Sequence, residues 1–253
     1  TYIGKGKIEE IKEFVVENEV KLAIFDDELS PVQLRNLEKK FDIKVLDRSG
    51  LILDIFAKHA QSSEAKTQVE LAQMQYLMPR LTRMWTHLSK QFGGIGTRGP
   101  GETQIEVDRR IIRTRIEKLK DKLKVIETQS SQKRKTRSKV ATFALVGYTN
   151  AGKSTLMKAI TNADVYIENK LFATLDTTTR RFELPNGQDA ILSDTVGFIR
   201  KLPSHLVASF RSTLAEARES DFIVHVVDIS HKYFVEHIKT VEKTLKKLNI
   251  TDK

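Results

Sequence analysis

Between Lys7 and Glu19, apolar side chains fall at Ile8, Ile11, Phe14 and Val15, the spacing of one helical face. Val20 to Phe25 is then a short apolar run and reads as a strand. Ser30-Pro31 supplies an N-cap followed by proline at the first helical position, which opens a helix through about Phe41. Ile43, Val45 and Leu46 make a second strand. Strand, helix and strand joined by short links favour a parallel pairing, so residues 1–57 read as a small α/β domain.

The next stretch has a long helical period. Residues 64–91 carry Val69, Ala72, Tyr76, Leu81, Trp85 and Leu88 and predict one long helix. Residues 104–128 predict another, in which Ile112, Ile116, Leu119, Leu123 and Ile126 alternate steps of four and three, a coiled-coil-like seam. A glycine-rich loop joins the two, which predicts an antiparallel helical hairpin. Residues 129–139 read as a polar, basic linker, so the second block runs from 58 to 139.

From Val140 the pattern changes again. Ala141 to Val146 is a buried-type strand, and Phe182 to Leu184 and Ala190 to Leu192 flank Asn186-Gly187, a type I′ hairpin signal. Leu202 to Arg218 reads as helix, Phe222 to Val227 as strand, and Tyr233 to Leu248 as helix. Alternating strands and helices over 140–253 predict a doubly wound α/β domain.

Charge divides the chain along the same lines. Residues 1–57 hold 9 basic and 12 acidic side chains, residues 58–139 hold 19 and 8, and residues 140–253 hold 15 and 13. The middle block therefore accounts for the whole formal charge of +10. A basic block between near-neutral domains points to a polyanion partner or to a solvated helical face, and charge alone does not choose. Cysteine is absent, which excludes thiol catalysis and disulfide scaffolds and fits a reducing, cytoplasmic setting. Neither a transmembrane run nor a signal peptide is expected, and a first residue of Thr rather than Met is expected of a fragment.

The chemistry concentrates after the strand ending at Val146. Gly147-Tyr148-Thr149-Asn150-Ala151-Gly152-Lys153-Ser154 matches G-x-x-x-x-G-K-S, and Thr155 begins the helix that follows. Glycines let successive N–H groups turn inward, and the helix N-terminus adds positive potential behind a phosphate. Lys153 reaches β- and γ-phosphates, and the Ser154 hydroxyl is a Mg²⁺ ligand. Asp194-Thr195-Val196-Gly197 follows a strand, where the carboxylate supports Mg²⁺ through water and the Gly197 N–H meets a γ-phosphate. Between these motifs lies Leu171-Phe172-Ala173-Thr174-Leu175-Asp176-Thr177-Thr178-Thr179. A GTPase-like switch needs one threonine there, and spacing does not choose among the four. Phe198 stands where a Ras-like enzyme has the glutamine that orients water, so slow intrinsic hydrolysis is expected.

Two other signals fail on context. Gly94-Ile95-Gly96-Thr97-Arg98-Gly99 matches G-x-G-x-x-G but follows a helix rather than a strand, so the dinucleotide reading does not hold. The six histidines are scattered without ligand spacing.

Taken with Gly93 to Gln104, Asp47-Arg48, Leu51 to Phe56 and Gln68 to Ala72, these motifs resemble the HflX family of ribosome-associated GTPases over nearly the whole chain. The resemblance implies an N-terminal α/β domain, a helical hairpin and a G domain of the P-loop NTPase class. It implies slow hydrolysis of GTP to GDP, association with the large ribosomal subunit and its RNA, and splitting or rescue of ribosomes under stress. It implies that Thr174 is the switch threonine on Mg²⁺, with Lys153, Thr174 and Gly197 serving catalysis. Gly147 to Thr155, Phe172 to Asp176 and Asp194 to Gly197 would contact nucleotide, and Ser154 and Thr174 the metal. Thr177 departs from the proline of many members. The guanine-reading N-K-x-D motif is expected in a strand after Lys253, so the G domain is expected to continue beyond this sequence. A monomer is expected. A nucleotide-switched RNA-binding protein without turnover, and an ATPase, are the rival readings.

Overall fold

A computed structural model of the chain describes residues 2–81, 104–135, 140–162, 172, 174–202 and 214–250. The chain divides into two units, one made of Thr1–Ile55 with Leu71–Lys118, the other of Phe56–Glu70 with Leu119–Lys253.

The first unit contains α1 (Lys5–Glu17), β1 (Leu22–Phe25), α2 (Pro31–Phe41) and β2 (Lys44–Asp47). The strands pair in parallel, from Leu22 opposite Lys44 to Phe25 opposite Asp47. Ser30 caps α2 reciprocally: its Oγ accepts the Gln33 N–H at 3.2 Å, and Gln33 Oε1 accepts the Ser30 N–H at 2.8 Å. Two of the helix's otherwise orphaned donors are thereby satisfied. Ile8, Leu29, Leu37, Phe41 and Val45 form the buried core, with Ile11, Phe25 and Ile43 packed on it.

Asp47 is the polar centre of this unit and is fully buried. One carboxylate oxygen accepts the Gly50 N–H and the Tyr76 hydroxyl, both at 2.8 Å. The other accepts the Leu29 N–H at 3.1 Å and the Arg80 guanidinium at 3.2 Å. Arg80 also stacks over the Tyr76 ring, 3.7 Å from its centroid. A buried carboxylate is tolerable because every lone pair finds a donor.

The bond from Gly50 makes Asp47 the N-cap of α3 (Arg48–His59). This helix is not predicted by the pattern reading, because it begins where β2 ends, with no linker to announce it. Its Ile52, Leu53 and Phe56 are buried.

Two helix expectations are corrected. The helix expected over 64–91 is α4 (Ser63–Leu77), and it gives way to a 3₁₀ turn, Met78–Arg80. Pro79 has no N–H to donate and disfavours the α conformation in the residue before it. The remainder of that expected helix, from 82, and the glycine loop 93–101 lie outside the described residues. The second long helix, α5 (Gln104–Lys135), runs past the expected end at 128. Residues 129–135 contain no Gly or Pro, so nothing stops the helix where composition changes. Ile112, Ile116 and Leu119 of its seam are buried.

The second unit holds a sheet of order β4-β5-β3-β6, comprising β3 (Ala141–Gly147), β4 (Thr178–Glu183), β5 (Asp189–Asp194) and β6 (Phe222–Val226). β3 pairs in parallel with β5 on one side and β6 on the other. β4 runs antiparallel on the outside, with Thr178 opposite Asp194. The described helices of this sheet are α6 (Lys153–Thr161), α7 (Ala215–Glu219) and α8 (Phe234–Lys247). Most of the helix expected over 202–218 lies outside the described residues. Leu145, Met157 and Leu192 form the core between β3, α6 and β5, each contributing about 1.5–3 kcal/mol through burial.

The expected β4–β5 hairpin is present, but its turn is not type I′. The Gly187 N–H donates to Leu184 O at 2.8 Å, which makes Pro185 and Asn186 the central residues and puts Gly187 at φ +79 just after them. Pro185 holds φ negative, whereas a type I′ turn needs positive φ at both central positions. Among the described residues, no helix is long and apolar enough to cross a membrane.

Candidate nucleotide site

Parallel pairing puts the C-terminal ends of β3 and β5 side by side, with Leu145 opposite Asp194. The loop from Gly147 to Ser154 therefore starts beside the Asp194 carboxylate. A β-carbon on Gly147 would lie 2.4 Å from Val226 O, so only glycine lets β3 lie against β6 there. The loop turns through left-handed backbone at Asn150 (φ 61) and Gly152 (φ 90) before α6 begins at Lys153.

Lys153 is 6% exposed, and its ammonium donates to Tyr148 O at 3.0 Å and to Gly147 O at 3.4 Å. Burial pushes its pKa down to about 8, while nearby Asp194 opposes the shift. Asp194 is fully buried, and burial pushes its carboxyl up, opposed by the Ser154 hydrogen bond and by Lys153. The pair thus sets two costly charges against each other, and an arriving phosphate and cation would relieve both.

Ser154 Oγ donates to Asp194 Oδ2 at 2.6 Å and lies 2.8 Å from Thr174 Oγ1. Ser154 gives its one proton to Asp194, and the Thr174 hydroxyl joins the same cluster, its hydrogen bond to Asp194 also opposing the upward shift of that carboxyl. Thr178 and Thr179 are strand residues of β4, and the Thr179 hydroxyl pairs with Ser193. The three oxygens at Ser154, Thr174 and Asp194 form a hard donor set suited to Mg²⁺. Asp194 Oδ1, buried and without a hydrogen-bond partner, leaves a charged oxygen for a cation or its water to satisfy.

Several residues expected to contact nucleotide spend their side chains elsewhere. Thr195 Oγ1 donates to Leu145 O at 2.7 Å, which ties the end of β5 to β3. Phe172, Leu175 and Val196 are buried side chains. The Asp176 carboxylate accepts the Gln61 and Ser62 N–H groups at 2.9 and 3.2 Å, and also bonds the Ser62 hydroxyl. Ala173 lies outside the described residues. Asn150, Gly152 and Thr155 are exposed, Ala151 half-buried.

Gly197 packs directly on the loop: a β-carbon there would lie 3.1 Å from the Lys153 ammonium. Next to it, Phe198 donates its N–H to Gly147 O at 3.0 Å and accepts the Thr149 N–H at 2.7 Å. The Phe198 side chain is 1% exposed, so it presents nothing to a water molecule.

Sequence reasoning had Tyr148 but missed its partners His237 and Arg200, and it missed Ser62. Tyr148 stacks flat on His237 of α8, with ring centroids 3.7 Å apart and planes 7° apart, and its hydroxyl accepts the Arg200 N–H at 3.0 Å. A cavity of about 310 Å³ opens at this stack, lined also by Asn150, Ala151, His231 and Tyr233. Ser62 could have been found as a helix cap, since its Oγ accepts the Ala65 N–H at 3.0 Å, but its distant partner could not.

Known proteins resemble the chain along its whole length. Family models described as GTP-binding GTPase N-terminal, GTP-binding GTPase Middle Region and 50S ribosome-binding GTPase match residues 1–57, 59–137 and 142–253. A GTPase HflX of Flavobacterium psychrophilum is 58% identical over 253 residues, covering 100% of this chain and 61% of its own length. The GTPase HflX of Escherichia coli is 50% identical over 250 residues, covering 98% of this chain and 59% of its own. The chain thus spans about three-fifths of these relatives. Among solved structures, a complex of SsGBP with GDP matches at a TM-score of 0.52 and 28% identity, covering 99% of this chain and 68% of that one.

Proposed function

The chain belongs to the HflX GTPase family, and from that premise we propose that it serves a Mg²⁺-dependent GTPase that acts on the large ribosomal subunit. The observation that carries the reading is the convergence of Lys153, Ser154, Thr174 and Asp194 at the ends of β3 and β5.

In this reading the N–H groups from Asn150 to Thr155 and the Lys153 ammonium hold the phosphates and take up charge that develops as water attacks the γ-phosphate. Ser154 and Thr174 supply oxygens to Mg²⁺, and Asp194 supports them from behind. The metal, when bound, neutralises charge between the phosphates. Gly197 brings its N–H to the γ-phosphate position, beside the Lys153 ammonium. Phe198 is turned into the core, so no side chain at that position orients water, and the intrinsic rate is slow. Guanine preference follows from the family and not from any base-reading residue within 1–253.

The partner rests on two supports. The matched description for residues 142–253 is a 50S ribosome-binding GTPase, and residues 58–139 hold 19 basic against 8 acidic side chains. Ribosomal RNA is the polyanion that fits both. A monomer in the cytoplasm, splitting or rescuing stalled ribosomes, completes the proposal. Buried Phe198 favours one second reading, a nucleotide-switched RNA binder without turnover.

Multiple-turnover phosphate release separates the readings. The expected result is slow release from GTP, little from ATP, and a rise when large subunits are added. Tight GTP binding with no release under either condition would favour the switched binder, and equal release from ATP would favour an ATPase.

A further inference from the structure

The segment from Phe172 to Asp176 is anchored at both ends, and the two anchors meet the same short stretch of chain. At one end the Phe172 ring meets Phe56 edge-on, with centroids 4.7 Å apart and both side chains buried. Phe56 lies in the last turns of α3. At the other end the Asp176 carboxylate takes the Gln61 N–H at 2.9 Å, the Ser62 N–H at 3.2 Å and the Ser62 hydroxyl. Those residues lie between α3 and α4, and Ser62 also caps α4 through the Ala65 N–H. Thr174 sits midway between the anchors, its hydroxyl on Ser154.

Resting on the assignment of Ser154, Thr174 and Asp194 to Mg²⁺, we propose that the joint between α3 and α4 is a positioning element for that site. Phe56 and Ser62 hold the segment 172–176, and thereby hold the Thr174 hydroxyl where the cation needs it. Asp176 is then a positioning residue whose carboxylate faces the joint.

The physical basis is preorganisation. Ordering a segment costs backbone entropy at every residue in it. A carboxylate accepting three donors, two of them fixed backbone N–H groups, is a strong clamp because each bond is charge-assisted. Once the joint holds the segment, a cation binding Thr174 no longer bears the ordering cost, so it binds more tightly. The coupling is reciprocal, so the cation with a nucleoside triphosphate also tightens the joint.

The test is a Mg²⁺ titration of the full-length protein bound to a non-hydrolysable GTP analogue. Ser62→Ala and Asp176→Asn are each expected to raise half-saturating Mg²⁺ three- to tenfold. The double variant falls short of the product of the two shifts, because both changes weaken one clamp, and Ser62→Thr, which keeps the hydroxyl, returns toward wild type. Phe56→Leu shifts the titration the same way through the other anchor. Analogue binding in excess chelator is unchanged by Ser62→Ala. Hydrogen exchange at residues 61–65 slows on addition of Mg²⁺ and analogue, and less so in Asp176→Asn. If Ser154→Ala abolishes the Mg²⁺ response while Ser62→Ala, Asp176→Asn and Phe56→Leu titrate like wild type, the joint has no such role and the metal site stands. An equal loss of analogue affinity with and without Mg²⁺ would also overturn it, as plain support of the fold. If Ser154→Ala too leaves the response intact, the metal assignment itself falls, and this proposal with it.

Discussion

A methyl group built on Gly197 would lie 2.6 Å from the Cα of Thr149. The backbone after β5 therefore rests on the phosphate-binding loop with no room for a side chain. Gly197→Ala is expected to cost about 1–3 kcal/mol of stability as an overpacked contact. Urea unfolding measures that cost, and GTP hydrolysis should fall with it because the Gly197 N–H is displaced. An alanine variant with wild-type stability and turnover would mean that the two segments part without penalty.

Lys153 carries a pH dependence of definite sign. Its folded pKa is pushed down to about 8 from the ordinary 10.5. Between those values the unfolded chain holds a proton that the folded chain has released, so ligand-free stability rises with pH across the window. Below pH 8 both states are protonated and the contribution is flat and unfavourable. The rise is at most ~1.4 kcal/mol per pH unit. Lys153→Met should remove it. A bound phosphate restores the charge, so nucleotide binding near pH 9 should take up protons, read by calorimetry in buffers of different ionisation enthalpy. Binding with no buffer dependence there would refute the shift.

Asp47 offers a test of the first unit. Replacing it with alanine strips Arg80, Tyr76, Gly50 and Leu29 of a common acceptor and leaves the 10%-exposed Arg80 side chain without its carboxylate. Removing one partner of a buried pair costs about 3–5 kcal/mol. Asp47→Asn keeps some acceptor capacity and should fall between alanine and wild type. Denaturant midpoints for the two variants check the order, and two variants indistinguishable from wild type would contradict it.

The basic helix α5 tests the partner. Arg109, Arg110, Arg113 and Arg115 lie within two turns of it, and all four are exposed. Changing all four to alanine should weaken binding to large ribosomal subunits and flatten its dependence on salt, since fewer counterions are released. Nucleotide affinity off the ribosome should stay as it was. A folded quadruple variant with unchanged affinity and slope would return this face to ordinary solvation.

What the sequence made legible was whatever depends on local pattern. The G-x-x-x-x-G-K-S loop between a strand and a helix, the Ser30 N-cap and the parallel pair in the first unit all follow from residues close together. What stayed hidden depends on residues doing two jobs or meeting across long separations. Asp47 ends β2 and caps α3 at once, so no gap marked the helix. Pro185 decided the hairpin turn against the Asn-Gly signal beside it. Asp176 looked like one more nucleotide contact, yet its partners are 114 and 115 residues away. Thr174 needed the resemblance to be chosen, and its hydroxyl lies 2.8 Å from Ser154 Oγ.

The pairing of Thr178 with Asp194 has a further consequence. It moors the chain to the sheet four residues after Thr174, right beside the carboxylate proposed to support the metal. A stretch of four residues reaches at most about 14 Å. However far the segment swings when its clamps open, Thr174 stays leashed within that radius of its mooring. Its return is then a short local search at millimolar effective concentration or higher, independent of how much protein is in solution. If the proposed cation binds there, its release and recapture would leave every strand of the sheet undisturbed.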